Sequence, residues 1–153
     1  MLTKSELRYA IQEEVDEIRE AYGEINLMAS GGVDSGVLMA LSKPDRVFTV
    51  RLPYGPMHDE YDDLLKTVRH LGLEDRLITI ELDENDFDGY VIEAVKAIGR
   101  PIPHYNIFPL YAMFKKMKEM GITQVMCGDG PDETMARYTR HLIMDYLYGV
   151  YDI

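Results

Sequence analysis

The stretch Ser30-Gly31-Gly32-Val33-Asp34-Ser35-Gly36 separates an apolar run at residues 25–29 from a second apolar run at residues 37–41. A short apolar run, a loop with adjacent glycines and a helix-like run together prescribe a strand, a tight turn and a helix. Neighbouring glycines carry no Cβ atoms, so their backbone can fold closely around an anion. The free N–H groups and positive dipole end of the following helix would face that anion. A phosphate chain is the expected guest. A Walker-type loop ends in Gly-Lys-Ser/Thr, whose lysine reaches the outer phosphates, whereas Asp34-Ser35-Gly36 stands in that place here. A carboxylate beside polyphosphate repels it unless a divalent cation lies between them. Asp34 is therefore a candidate Mg2+ ligand, and Ser35 a hydroxyl donor to phosphate in the first helical turn. The same residues also suit a plain Ser/Gly turn with an aspartate cap, and this loop alone does not choose between the two.

A second cluster repeats the pattern. Cys127-Gly128-Asp129-Gly130-Pro131-Asp132-Glu133 follows a short apolar segment at residues 122–126 and precedes a helix-like stretch from Thr134. Between the two loops the signals alternate. Strands are expected at residues 25–29, 46–52, 76–82 and 122–127, and helices at 37–41, 60–71, 87–98 and 108–120. A leading helix at residues 5–21 places Leu7, Ile11, Val15 and Ile18 on one face, capped near Thr3 or Ser5, and that face is expected to cover the sheet. Such alternation predicts an α/β fold, a Rossmann-like parallel sheet of about four to five strands with helices on both faces. Ligands of such sheets bind at the carboxyl ends of the strands, where both glycine loops would converge.

The paired loops resemble a known family. Ser-Gly-Gly-Val-Asp-Ser is similar to the pyrophosphate loop of the ATP-pyrophosphatase (PP-loop) superfamily, whose fold is of the adenine nucleotide alpha hydrolase type. With Gly-Asp-Gly-Pro-Asp-Glu and Tyr138 beyond it, the chain resembles the synthetase domain of asparagine synthetases and their β-lactam- and carbapenam-forming relatives, from about residue 25 to 138. The resemblance implies ATP and Mg2+. It places Ser30, Gly31, Gly32, Asp34 and Ser35 around the β- and γ-phosphates, and Asp34 and Asp132 on the metal. It places the adenosine on Val50, Cys127 and Gly128, with Met28 and Ala29 nearby. Asp129, Asp132 and Glu133 fall at the catalytic positions, Asp129 beside the reacting acyl group. The implied reaction is ATP-dependent adenylation of an aspartate-like carboxylate with release of pyrophosphate, followed by transfer of ammonia or an amine. Two other outcomes fit the superfamily: activation of a nucleotide or nucleobase oxygen, and ATP binding without turnover as a subunit that needs a partner.

Departures from the family pattern are visible too. Pro131 replaces a small residue, and Thr134-Met135-Ala136-Arg137 stands where Leu/Val-Phe-Gly-Gly is usual, so the loop exit is expected to take a different path. Leu2 occupies the place of a glutaminase cysteine nucleophile, and the family's downstream catalytic lysine would fall beyond Ile153. The chain is expected to form one domain over residues 1–153. A net charge of −11, from 27 acidic against 16 basic residues, opposes a nucleic-acid backbone, so nucleic acid is not an expected partner. One cysteine leaves no Cys-x-x-Cys pair, which counts against the thiolating and deazapurine-making branches. No transmembrane or signal-like run is present, and a cytoplasmic setting without membrane contact is expected. Arg51, Arg100 and His104 are the groups near the expected cleft able to bind an anion. Leu142, Ile143, Tyr146, Leu147 and Val150 share one helical face at the carboxy-terminal end, which suits packing against the chain's own sheet or, as the alternative, a homodimer or a partner subunit.

Overall fold

A computed structural model describes residues 3–51, 60–101, 104 and 106–131. Helix α1 (Lys4–Tyr22) starts on Thr3, whose hydroxyl accepts the Glu6 amide while the Glu6 carboxylate accepts the Thr3 amide at 2.7 Å, a reciprocal cap. It stops at Gly23, whose φ of 79° needs a residue without Cβ. Strand β1 (Asn26–Met28), helix α2 (Val33–Ser42) and strand β2 (Arg46–Arg51) follow. Helix α3 (Tyr61–Leu71), a 3-10 turn, strand β3 (Leu77–Glu81), helix α4 (Glu84–Ile98) and helix α5 (Ile107–Glu119) complete the described elements.

The three strands form a parallel sheet in the order β1-β2-β3, with Val47 opposite both Leu27 and Leu77 and Phe48 opposite both Met28 and Ile78. Side chains alternate across it. Leu27, Ala29 and Val47 pack with Met39 of α2 and with Leu64 and Val68 of α3, forming one core layer. On the opposite face Phe48 packs with Met113 and Met117 of α5, bordered by Met28, Val50, Ile78 and Ile80. Helices thus cover both faces, as the alternation predicted. Phe48 is fully buried, and burial of such a side chain contributes about 1.5–3 kcal/mol.

Three expectations need correction. The strand expected at residues 122–127 is reduced to a single parallel bridge between Met126 and Leu27, held by Met28 N–H to Met126 O and Met126 N–H to Asn26 O. Side chains replace the ladder beyond it: Gln124 Nε2 donates to Glu24 O at 3.0 Å, and Asn26 Nδ2 donates to Gln124 O at 3.4 Å. Helix α2 begins at Val33, not at residue 37, so Asp34 and Ser35 lie inside its first turn. Its apolar signal starts late because Val33-Asp34-Ser35-Gly36 reads as loop material while the N-cap is Gly32. Helix α1 packs chiefly on α2 and does not cover the sheet. Val15 alone of its apolar face is fully buried, while Arg19 ties the helix to the end of α2 through Ser42 O at 3.0 Å and Asp45 at 3.1 Å. Leu2, the proline-rich stretch at residues 52–56, Ile102, Pro103, Asp132, Glu133, the altered exit at residues 134–137 and the carboxy-terminal face at residues 138–153 lie outside the described residues.

Candidate functional site

The loop after β1 is closed by its own serines. Ser35, buried in the first turn of α2, donates its hydroxyl to Ser30 O at 3.0 Å and lies 3.2 Å from Gly32 O, and it accepts the Ser30 amide at 3.2 Å. Ser30 Oγ in turn accepts the Gly32 amide at 3.1 Å. The hydroxyl that sequence reasoning assigned to phosphate is thereby occupied in shaping the loop. The N-cap of α2 is a glycine, so no N-cap side chain folds back over the first turn of this ten-residue helix.

Two glycines allow close approach around this end. A Cβ on Gly31 would overlap the Glu60 carbonyl oxygen and come within 2.8 Å of Glu60 Cβ, so the loop is seated directly against the start of α3. A Cβ on Gly128 would lie 3.1 Å from the Ser35 amide nitrogen and 3.5 Å from Asp34 Cβ. The second glycine loop therefore passes over the open end of α2. The bridge at Met126 delivers it there.

A cavity of about 640 Å3 opens at these carboxyl ends of the strands. Met28, Ala29, Ser30, Gly31, Gly32, Asp34, Ser35, Val50, Cys127 and Gly128, every position assigned to the nucleotide from sequence, line it, and so does Asp129. Cys127 is a free, exposed thiol. Asp132 and Glu133 lie outside the described residues, although Gly130 and Pro131 just before them reach the wall. Arg51, Arg100 and His104 do not line it. Arg51 instead lies over the Tyr61 ring, 5.1 Å from its centroid, and 3.7 Å from Glu81.

Several walls went unseen in the sequence. Glu60 just before α3, Tyr61 and Leu64 within it, and Thr49 of β2 are such walls. Tyr61 is fixed by a 3.0 Å hydrogen bond between its hydroxyl and Thr79. Asn106 at the start of α5 lines the cavity too, with Pro109, Leu110 and Met113 of the helix, whose three- and four-residue spacing reads as an ordinary core stripe. The described wall carries the carboxylates of Asp34, Glu60 and Asp129 and no lysine or arginine. Among the described residues no group of three or more His, Cys, Asp or Glu side chains is placed to hold a metal by itself. Nor is any described helix long and apolar enough to cross a membrane.

Comparison with known proteins bears on this arrangement. The family model described as asparagine synthase matches residues 6–147. The chain is 26% identical over 159 residues to asparagine synthetase B [glutamine-hydrolyzing] of Escherichia coli (strain K12), covering 88% of this chain and 27% of that protein. It is 26% identical over 125 residues to the putative asparagine synthetase [glutamine-hydrolyzing] 1 of Methanocaldococcus jannaschii, covering 77% of this chain and 22% of that protein. It thus spans between 22% and 27% of the length of these curated relatives. Among solved structures, NAD+ synthetase from Burkholderia pseudomallei aligns with a TM-score of 0.49 at 18% identity, over 83% of this chain and 62% of that one. With the family model matched across residues 6–147, the chain belongs to the asparagine synthase family.

Proposed function

We propose that the chain is the nucleotide-activating part of an ATP-dependent carbon–nitrogen ligase. The observation that carries this reading is the convergence of both glycine loops on one cavity at the open end of α2. A carboxylate oxygen of the acyl substrate, aspartate-like by analogy with the named relatives, attacks the α-phosphorus of ATP. The bond from that phosphorus to the bridging oxygen breaks, pyrophosphate leaves and an acyl-adenylate remains. Ammonia or an amine then attacks the acyl carbon, loses a proton, and AMP departs.

The residues contribute position and charge. Amides of Gly31, Gly32 and the first turn of α2 hold the β- and γ-phosphates as the leaving group, in a loop already shaped by Ser30 and Ser35. The ends of β1 and β2, with Cys127 and Gly128, hold the adenosine. Asp129 stands near the reacting acyl group, and Asp132 and Glu133 take the remaining catalytic positions implied by the sequence resemblance. A wall with three carboxylates and no described basic side chain suits a polyphosphate only together with a cation. Asp34, in the first turn of α2, fits a Mg2+ that takes one or two carboxylates plus phosphate oxygens, and Asp132 is the second ligand from sequence. Held by Asp34 and Asp132, a Mg2+ ion would supply charge neutralisation on the phosphate chain. The reaction is proposed for the cytoplasm, with residues 1–153 acting as one domain.

Phosphorus NMR of Mg-ATP with the protein, ammonium and a pool of carboxylates including aspartate tests the reading. AMP and pyrophosphate are expected to appear together, whereas ADP with orthophosphate overturns adenylation. Asp34→Asn is expected to lower turnover by about 100-fold or more while circular dichroism stays unchanged. Wild-type turnover in that variant removes Asp34 from the metal site.

A further inference from the structure

The far end of α2 is closed unlike the ends of its neighbours. Gly23, Gly72 and Gly99 directly follow α1, α3 and α4, and Gly121 follows α5 by one further residue, each at positive φ, where a Cβ would crowd the following carbonyl oxygen. At the corresponding place after α2 stands Lys43, with φ 43° and ψ 63°, the one residue other than glycine at positive φ among the described residues. Its amide closes the helix on Met39 O at 3.1 Å, a bond that glycine would make without strain. The backbone gives no reason for a lysine here, which leaves the side chain to supply one.

Lys43 lines a second cavity, of about 470 Å3, between α1 and the end of α2. Arg8, Gln12, Asp16 and Arg19, at spacings that share one face of α1, line one side of it, and Ser42 and Lys43 line the other. Three bases against one carboxylate reverse the balance of the nucleotide cavity, where three carboxylates face no described base, and of the chain as a whole, at −11. Among the described residues neither the Arg8 guanidinium nor the Lys43 ammonium joins a hydrogen bond or an ion pair. Arg19 is already fixed on Asp45 and donates to Ser42 O at 3.0 Å and Lys43 O at 3.3 Å, so the carbonyls that end α2 do not face the cavity unmasked. Gln12 Nε2 holds Asp16 at 2.9 Å. Ser42 is 3% exposed and its hydroxyl has no hydrogen-bond partner among the described residues, a state that buried polar groups rarely keep.

We propose that this cavity is a second ligand site, for a small polyanion of phosphate-ester or polycarboxylate type. Two unpaired cations on one cavity raise its potential, and a multiply charged anion gains from both at once. The Arg8 guanidinium presents paired N–H donors to an oxyanion, and the Lys43 ammonium adds a point charge. Asp16, held by Gln12, accepts a hydroxyl or amine of the same ligand, and the Ser42 hydroxyl gains the partner it lacks. The site lies at the opposite end of α2 from Gly32. Ten residues at 1.5 Å each separate it by about 15 Å from the glycine loops, so it is distinct from the nucleotide cavity.

Amide NMR shifts during titration of the full chain with sodium phosphate, and separately with citrate, in EDTA at fixed ionic strength test this. Saturating shifts are expected at residues 8–19 and 40–43, since without a cation the acidic nucleotide cavity disfavours either anion. Saturation by one probe and not the other supports the site and names the ligand type. Shifts confined to residues 30–35, or saturation by neither probe, overturn it. Arg8→Ala, at an exposed position, is expected to weaken binding by about 10-fold at an unchanged melting temperature, and wild-type affinity in that variant overturns the site as well. Lys43→Gly is expected to weaken binding to a similar extent while raising the melting temperature of the ligand-free chain, because glycine adopts φ 43° without strain. A Lys43→Gly protein that is more stable yet binds as wild type does reduces Lys43 to a helix stop and overturns the proposal.

Discussion

Gly31 and Gly128 approach neighbouring backbone for different reasons, and substitution separates them. A methyl group at Gly31 would collide with the Glu60 carbonyl, a backbone atom that cannot swing aside, so loop and α3 must move apart. Gly31→Ala is expected to cost about 1–3 kcal/mol, read as a lower urea midpoint with the slope unchanged. At Gly128 the nearest atoms stand at 3.1 Å and beyond, tight but tolerable for folding, yet the methyl group would lie over the Ser35 amide. Gly128→Ala is expected to unfold near the wild-type midpoint and to bind ATP more weakly, and wild-type affinity in that variant would sink the placement of phosphate there. Ser35 shows where sequence reading stops. A serine beside two glycines in a phosphate-loop pattern points to a ligand, but nothing in the pattern reveals that Ser30 O and the Ser30 amide already occupy its hydroxyl. That fact depends on how sharply the chain turns at residues 30–35.

Asp45 joins α1 to the start of β2. Its carboxylate accepts the Ile25 amide at 2.8 Å and the Arg19 guanidinium at 3.1 Å. Burial by itself raises its pKa, but the Ile25 amide, Arg19 and the more distant Arg76 outweigh burial and hold it below the usual carboxylate range. A carboxyl group depressed on folding stabilises the fold above its unfolded pKa, near 4, and that contribution is lost as pH falls through the lower folded value. Asp45→Asn is expected to flatten the acid limb of stability against pH below about pH 4 in urea titrations, and an unchanged limb would remove the assignment. The described strands and helices were mostly legible, because apolar runs alternate with stops such as Gly23, Gly72 and Gly99 at positive φ. Less legible was the segment through Met126, where an apolar run suggests a strand but Asn26 and Gln124 side chains take bonds a ladder would have used. The α5 wall escaped for another reason. Helical spacing shows that a stripe is covered, not whether protein or ligand covers it.

The sheet with its two covering layers opens where its carboxyl ends meet both glycine loops and α5. A ligand that binds only the folded chain stabilises it by mass action, about 2.7 kcal/mol at a concentration one hundred times the dissociation constant. For a chain of this length Mg-ATP is expected to raise the melting temperature by roughly 5–10 °C. Asp34→Asn is expected to shift far less, and equal shifts in the two proteins would detach stabilisation from the metal. The cavity draws Leu64 and Tyr61 from one layer and Leu110 and Met113 from the other. A molecule seated there acts as a rivet through the edge of the sheet. While it stays, α3 and α5 cannot peel away singly, so separate local openings of the two layers merge into one slower event that must first expel the rivet.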